Sequence, residues 1–159
     1  MSRRDASTAA AELDRDAQSE LAGRIRRMDS GAVGLTDVRR ALTHDTVLHG
    51  LSSELVAALL DAGLLQRRAL TLLVPTSTFD RKMRAGQRFS REESDRIARL
   101  IRIQALAESV FEDAGYAAEW MQEPTPALGE RTPAEMTQTD DGSVAAEALL
   151  HRIGYGDYA

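Results

Sequence analysis

The absence of strand patterning is the sequence feature that most restricts the fold of this chain. No segment alternates apolar and polar residues around β-branched side chains, and aromatic residues make up only 4% of the 159 residues. Alanine and leucine dominate instead, and both favour helices. The sequence therefore predicts an all-α protein, and its length fits one domain or two small domains that pack closely together.

Apolar spacing places the predicted helices along the chain. The first covers residues 6–28, where apolar side chains recur every three or four positions and form one stripe. That stripe consists of Leu13, Ala17, Leu21, Ile25 and Met28. Further helices are predicted after Thr36, over residues 52–62, 66–73, 76–84, 90–113 and 116–122, after Thr132, and from Ser143 onward.

Capping residues support several of these helices. Ser90 and Glu93 have the spacing of a capping box, in which each residue satisfies the backbone N–H of the other. Thr132 and Glu135 repeat this spacing, with a proline at the first helical position. The sequence Asp-Asp-Gly at residues 140–142 is interpreted as a turn that precedes the last helix.

Residues 66–84 have the outline of a helix-turn-helix. Two short predicted helices meet at a tight turn around Pro75, and Thr76 is expected to cap the second helix. Phe79 and Met83 would face the core, which leaves hydroxyl and basic side chains for base edges and phosphates. The candidate DNA-binding residues are Thr76, Ser77, Thr78, Arg81, Lys82, Arg84 and Arg88. The alternative is a solvated basic face beside an ordinary helical hairpin.

Charge is distributed unevenly along the chain, whose net charge is −5. Residues 66–106 carry ten basic and four acidic side chains, whereas residues 107–159 carry two basic and eleven acidic ones. The basic side chains expected to point outward are Arg81, Lys82, Arg84, Arg96, Arg99 and Arg102. The division indicates two surfaces with two different partners. The alternative is that the acidic part simply packs against the basic part.

Other function classes find no support in the sequence. The chain has no cysteine, and none of its three histidines has another histidine three or four residues away, so no metal site is predicted. It has no glycine-rich phosphate loop and no nucleophile elbow, so neither an enzyme nor a cofactor is predicted. No apolar run approaches the length of a membrane span, and no signal peptide is recognised; we expect a cytoplasmic protein without membrane contact.

Several stretches in the second part of the chain resemble a known family when they are taken in order. The first two are Thr-Phe-Asp-Arg-Lys at residues 78–82 and the acidic-Ser-Asp-Arg run within residues 89–100. Ala-Glu-Trp-Met-Gln-Glu-Pro follows at residues 118–124, and Leu-His-Arg-Ile-Gly-Tyr-Gly closes the pattern at residues 150–156. As a set they resemble the Xre/MbcA/ParS-type antitoxins, which are partners of RES-domain toxins. The resemblance covers about two thirds of the chain, from Gly50 onward.

This resemblance implies an antitoxin of a type II toxin–antitoxin module. Its three parts would be an N-terminal helical extension (1–49), an Xre-like helix-turn-helix domain (50–106) and a toxin-binding domain with a tail (107–159). Members of the family are generally homodimers that bind operator DNA and repress their own operon. Their RES toxins degrade NAD, and the C-terminal end of the antitoxin covers the active-site pocket of the toxin.

By position, the resemblance assigns toxin contact to the end of the chain, where two tyrosines lie among glycines. The candidate toxin-binding residues are Arg152, Gly154, Tyr155, Gly156, Asp157, Tyr158 and Ala159. A tyrosine offers apolar area, a polar tip and few rotatable bonds, which suits the filling of a pocket. The alternative is a chain end without a role. An alternative for the whole protein is a stand-alone transcription regulator whose C-terminal domain dimerises or senses a ligand, with Trp120 and Met121 lining a pocket.

Overall fold

The computed structural model describes residues 3–27 and 33–156, and within these ranges it confirms the all-α prediction. The helices are α1 (Arg3–Arg26), α2 (Leu35–Ala41), α3 (His44–His49), α4 (Ser53–Asp61), α5 (Arg67–Leu73), α6 (Thr76–Ala85), α7 (Arg91–Phe111), α8 (Ala114–Trp120), α9 (Pro133–Met136) and α10 (Asp140–Gly154). A 3₁₀ turn covers Pro126–Leu128. None of the described helices is both long enough and apolar enough to cross a membrane.

Helix α7 is the central element to which both parts of the protein attach. Its 21 residues extend about 32 Å at 1.5 Å per residue. Helices α2, α3 and α5 pack against it, and so do α8 and α10 from the C-terminal part. Ile97, Leu100, Ile101 and Ile103 are fully buried within one continuous apolar core. The helix-turn-helix and the C-terminal helices therefore pack against the same helix, α7.

Helix α1 is only partly buried, and two of the five residues in its predicted apolar stripe face solvent. Leu21 and Ile25 are buried, but Leu13 is 72% exposed and Ala17 is also exposed. Met28, the last member of the stripe, lies outside the described residues. The later turns of α1 pack against α3 and α4, and there Gln18 occupies a buried position in place of Ala17. Spacing alone could not show that Leu13 and Ala17 face solvent.

The short helix α3 was not predicted from the sequence. Thr43 is its N-cap, and the Thr43 hydroxyl accepts a hydrogen bond from the Thr46 backbone N–H at 3.2 Å. Six residues form fewer than two helical turns, so an apolar stripe cannot become visible in so short a segment. The sequence signal that could have indicated α3 was its N-cap residue, Thr43.

Two predicted boundaries in the C-terminal part are wrong. Helix α7 ends at Phe111, because Glu112 adopts the left-handed conformation with a φ of 54°, and Asp113 then caps α8. Residues 140–142 form the first turn of α10 and not a separate turn. Thr139 is the N-cap, and its hydroxyl accepts from the Gly142 backbone N–H at 3.1 Å. A Cβ atom at Gly142 would overlap the Met136 carbonyl oxygen, so this helix start requires glycine.

Candidate functional site

Helices α5 and α6 form the predicted helix-turn-helix, with Val74 and Pro75 between them. The expectation that Thr76 caps α6 is wrong, because Pro75 occupies the cap position and Thr76 is the first helical residue. Val74 is buried, and Arg96 of α7 donates from Nη1 to the Leu73 carbonyl at 3.2 Å. The turn is therefore held against α7, and Arg96 makes a structural contact.

An aromatic pair anchors the inner side of α6. Phe79 is fully buried, as predicted, and its ring centroid lies 5.8 Å from that of Phe89. Met83 is partly buried against the same core. The guanidinium of Arg67 lies 5.2 Å from the Phe79 ring centroid, and Arg67 also pairs with Asp80. These contacts fix which side of α6 faces solvent.

The solvent side of α6 carries polar and cationic side chains. Thr76 and Ser77 are exposed at its N-terminus, and Thr78 is half-buried. Arg81 is exposed and donates to Gln87 Oε1 at 3.0 Å, while Arg84 is exposed and donates to a carbonyl of its own helix at 3.3 Å. Both contacts are with neutral oxygens, so both guanidinium groups keep their charge available for a phosphate.

Lys82 does not belong to this outward set, contrary to the prediction. Its Nζ lies 2.6 Å from Glu93 Oε2 and 3.4 Å from the Arg88 carbonyl, and its side chain is 13% exposed. Glu93 also accepts from the Ser90 backbone N–H at 2.7 Å in the capping box. Burial would raise the pKa of Glu93, but the hydrogen bonds from Lys82 and Ser90 together hold that pKa below its ordinary value. Lys82 thus joins α6 to the start of α7.

Arg88 also makes internal contacts. Its Nη1 donates to the Gly50 carbonyl at 2.6 Å and to Asp14 Oδ2 at 3.3 Å. Gln18 of α1 completes this link: its Nε2 donates to the same carbonyl at 3.2 Å, and its Oε1 accepts from the Ser52 backbone N–H at 2.7 Å. Arg88, Asp14 and Gln18 therefore connect α1 to the loop between α6 and α7.

The basic and acidic parts of the chain meet along α7. Arg99 was expected to face solvent, but its side chain is 11% exposed and pairs with Asp95. It donates to the carbonyls of Thr137 and Gln138 at 3.0 and 3.1 Å, just after α9. Arg102 faces α10, where its Nε lies 3.8 Å from Glu147 Oε2. The alternative of packing between the oppositely charged parts therefore holds for these two arginines.

The C-terminal helices pack around a second aromatic group. The ring centroid of Phe111 lies 5.6 Å from that of Trp120 and 4.8 Å from that of Tyr116, in edge-on arrangements. Trp120 and Met121 are both buried in the core, and the Met121 carbonyl accepts from the Ala134 backbone N–H at 3.0 Å. These two residues act in packing.

The predicted tail begins later than expected. Gly154 is the last residue of α10, and Arg152 is exposed on the same helix. Tyr155 is 86% exposed, its ring centroid lies 6.4 Å from that of His151, and Gly156 follows with a φ of 73°. Asp157, Tyr158 and Ala159 lie outside the described residues.

A cleft of about 600 Å³ lies between the two parts of the chain and was not predicted. Its polar lining includes Gln66, Gln104, Glu108 and Glu119. Burial raises the pKa of Glu108, and a hydrogen bond with Gln104 opposes that shift. In the described part of the chain, no group of three or more histidine, aspartate or glutamate residues could hold a metal ion.

The helix-turn-helix region and the C-terminal region each match a separate model of a known protein family. Residues 42–102 match the model of the antitoxin Xre-like helix-turn-helix domain. Residues 106–156 match the model of the antitoxin Xre/MbcA/ParS C-terminal toxin-binding domain. The first match contains α3 to α6, and the second contains α8 to α10.

Three named relatives agree with this assignment. An antitoxin Xre of Pseudomonas putida is 30% identical over 115 residues, which are 71% of this chain and 72% of the relative. An antitoxin Xre of Yersinia enterocolitica is 29% identical over 130 residues, which are 80% and 88% of the two chains. A protein of Sphingobium named Prs ADP-ribosylating antitoxin is 27% identical over 97 residues, 55% and 61%. The chain therefore belongs to the Xre/MbcA/ParS family of antitoxins, and it combines an Xre-like helix-turn-helix domain with the toxin-binding domain of that family.

Proposed function

We propose that this chain neutralises a RES-domain toxin that degrades NAD, by covering the toxin's active site with its C-terminal segment, and represses its own operon through the helix-turn-helix. The observation that carries this proposal is the presence of an outward polar and cationic helix and a family toxin-binding domain on one shared core. The protein would act as a cytoplasmic homodimer with parts at residues 1–49, 50–106 and 107–159.

Within the DNA-binding candidates, the contacts support a division of roles. Thr76, Ser77 and Thr78 stand at the N-terminus of α6, the end of a recognition helix that meets base edges. Arg81 and Arg84 are the cations available for phosphates. Lys82 and Arg88, which already have internal partners, would hold the position of α6 and not touch DNA directly.

At the C-terminus, Arg152 and Gly154–Tyr155–Gly156 would lead residues 157–159 into the toxin. The ring of Tyr155 is free to be buried by a partner, since it is mostly exposed in the isolated chain. A glycine with positive φ at residue 156 lets the backbone turn away from the axis of α10. The Sphingobium relative is named for ADP-ribosylation, a reaction whose donor is NAD, which supports toxin partners with NAD chemistry.

The DNA-binding role is tested by the salt dependence of operator binding. Replacing both Arg81 and Arg84 by alanine removes two phosphate contacts, so the log–log salt slope should fall by about 1.8. Arg26→Ala on α1 is the control, since Arg26 is exposed and pairs with Glu54 of α4. An unchanged salt slope in the double variant would show that DNA binds a surface other than α6.

The toxin-binding role is tested by co-purification with the product of the neighbouring gene and by an NAD-degradation assay. The full chain should form a stable complex and stop NAD loss, and a chain lacking residues 155–159 should not stop it. Neutralisation by the shortened chain would overturn the role of the tail. DNA binding without any toxin complex would favour the stand-alone regulator.

A further inference from the structure

A second, smaller cleft of about 280 Å³ lies between α7 and the segment that contains α2 and α3. Four residues of α7 line it: Asp95, Ala98, Arg99 and Arg102. They are three, one and three positions apart, so they share one side of the helix. Arg39 lines the cleft from α2. Three arginines and one aspartate therefore surround one small space, which we call the arginine cleft.

The three arginines of the cleft have hydrogen-bonding capacity to spare. Arg39 is exposed, and its side chain forms no hydrogen bond or ion pair with any described residue. The Nε atom of Arg102 is buried without a hydrogen-bond partner in the same part of the chain, and Glu147 Oε2 lies 3.8 Å from it. Arg99 uses three of its five N–H groups, on Asp95 and on two backbone carbonyls after α9. An additional acceptor could therefore be bound by all three side chains.

A phosphate group is the ligand that best matches this lining. It offers several acceptor oxygens and negative charge, and arginines bind it through paired N–H···O bonds. A carboxylate has only two oxygens and one charge, so it would satisfy fewer of the three arginines. A metal ion is disfavoured, because three cations surround the single carboxylate of the lining. Leu42, Val47 and Ala98 add apolar surface, which suits an organic part of the ligand.

We propose that the arginine cleft binds a small phosphorylated molecule whose phosphate group contacts Arg39, Arg99 and Arg102. The cleft is distinct from the contacts that position the helix-turn-helix. Helix α6 and the turn before it reach α7 through Glu93 and Arg96, and neither residue lines the cleft. The proposed toxin contacts follow Arg152 at the end of α10. The inference therefore adds a third ligand to the proposed DNA and toxin partners.

The position of the arginine cleft gives the ligand a way to act on the whole molecule. Arg39 precedes the segment that matches the helix-turn-helix domain. Arg99 lies within that segment and donates to the carbonyls of Thr137 and Gln138, which belong to the segment that matches the toxin-binding domain. A phosphate held by Arg39 and Arg99 would fix α2 against α7 beside the contact between the two domains. Because the ligand would bind only the folded chain, it should raise the melting temperature.

Two adjacent arginines of α2 supply a variant and its matched control. Arg39→Ala removes a cleft-lining guanidinium that no described residue contacts, so little loss of stability is expected. Arg40→Ala removes the same charge from the next position, where Arg40 pairs with Asp37 at 4.0 Å and does not line the cleft. Asp95→Asn removes the carboxylate of the lining, so its effect on phosphate binding should have the opposite sign.

The experiment titrates the full chain with phenyl phosphate in a calorimeter, at constant ionic strength, with benzoate as the carboxylate control. The wild type should bind phenyl phosphate with a Kd below about 1 mM and benzoate at least about tenfold more weakly. Arg39→Ala should raise the Kd for phenyl phosphate by about tenfold, Arg40→Ala should leave it unchanged, and Asp95→Asn should lower it. No binding of phenyl phosphate to the wild type, or an equal Kd in the Arg39 and Arg40 variants, would overturn the proposal.

Operator DNA distinguishes a free phosphorylated molecule from the phosphates of the DNA backbone. If the cleft holds a small molecule, Arg39→Ala should bind operator DNA as tightly as Arg40→Ala, with the same salt slope. A loss of operator affinity in Arg39→Ala alone, in a chain that does not bind phenyl phosphate, would assign the arginine cleft to the DNA backbone and overturn the proposal.

Discussion

The outward sides of α6 and α10 are built in the same way but differ in chemistry. Each helix is anchored on its inner side by apolar residues, Phe79 in α6 and Leu149 with Leu150 in α10. The outward side of α6 presents hydroxyl groups and arginines, whereas α10 exposes Val144 and Ala148 and is followed by the exposed Tyr155. A polar cationic helix suits nucleic acid, and an apolar one suits a protein. We therefore expect the exposed side of each helix, and not the fold, to determine which class of partner it binds.

The same comparison shows why net charge alone overstates the basic surface. Residues 66–106 have a net charge of +6, but Lys82, Arg88 and Arg99 each contact oxygens of another element. These three residues hold helices together, whereas Arg81 and Arg84 contact only neutral oxygens within or next to α6. Basic residues that look equivalent in the sequence thus have two different roles.

The largest stability effect is expected from Gly142→Ala. A Cβ atom there would overlap the Met136 carbonyl, so the start of α10 must shift away from α9. The free energy of unfolding should fall by about 3 kcal/mol, the upper end of the usual range for substitutions that force strain into a packed site. Urea unfolding measures the loss. Gly34→Ala is the control, because nothing lies within 4 Å of its Cβ position, and equal stability of both variants would contradict the tight contact.

A smaller effect is expected from Gln18→Ala, which tests the link between α1 and the helix-turn-helix. The substitution leaves the Ser52 N–H without its partner and removes one donor to the Gly50 carbonyl. An unsatisfied buried group costs about 1–3 kcal/mol, so unfolding should require correspondingly less urea. Ser19→Ala, at the neighbouring exposed position of α1, is the control. A loss as small as that of Ser19→Ala would show that α1 is not anchored through Gln18.

The smallest predicted effect is a change in the pH dependence of stability when Glu93 is replaced. Because its pKa is lower in the folded chain, ionised Glu93 stabilises the fold above the pKa of an unfolded glutamate, about 4.3. That contribution is lost as the pH falls through the lower pKa of the folded state. Glu93→Gln should therefore lose less stability than the wild type between pH 7 and pH 3. Glu92→Gln, at the adjacent exposed position, should lose as much stability as the wild type between pH 7 and pH 3. An equal loss of stability in the Glu92 and Glu93 variants would contradict the role of the Lys82–Glu93 pair.

Local rules predicted much of the fold, and long-range contacts account for most of what was missed. The capping boxes at Ser90 and Thr132 are confirmed, because such caps depend only on residues three positions apart. Arg88 and Asp14 are 74 residues apart, so no spacing rule could connect them. The Asp-Asp-Gly sequence at residues 140–142 suits either a turn or a helix start, and in the structure Thr139 caps it as the first turn of α10.

The most direct test of the account is the NAD-degrading activity of the toxin in the presence of an equal amount of this chain. The wild-type chain and the Arg81→Ala, Arg84→Ala double variant should both stop NAD loss, because the proposed DNA surface lies on α6 and the proposed toxin-binding segment lies at the C-terminus. The chain without residues 155–159 should leave the toxin active. Undiminished NAD loss with the wild-type chain, or a double variant that no longer inhibits, would contradict the assignment of two separate surfaces.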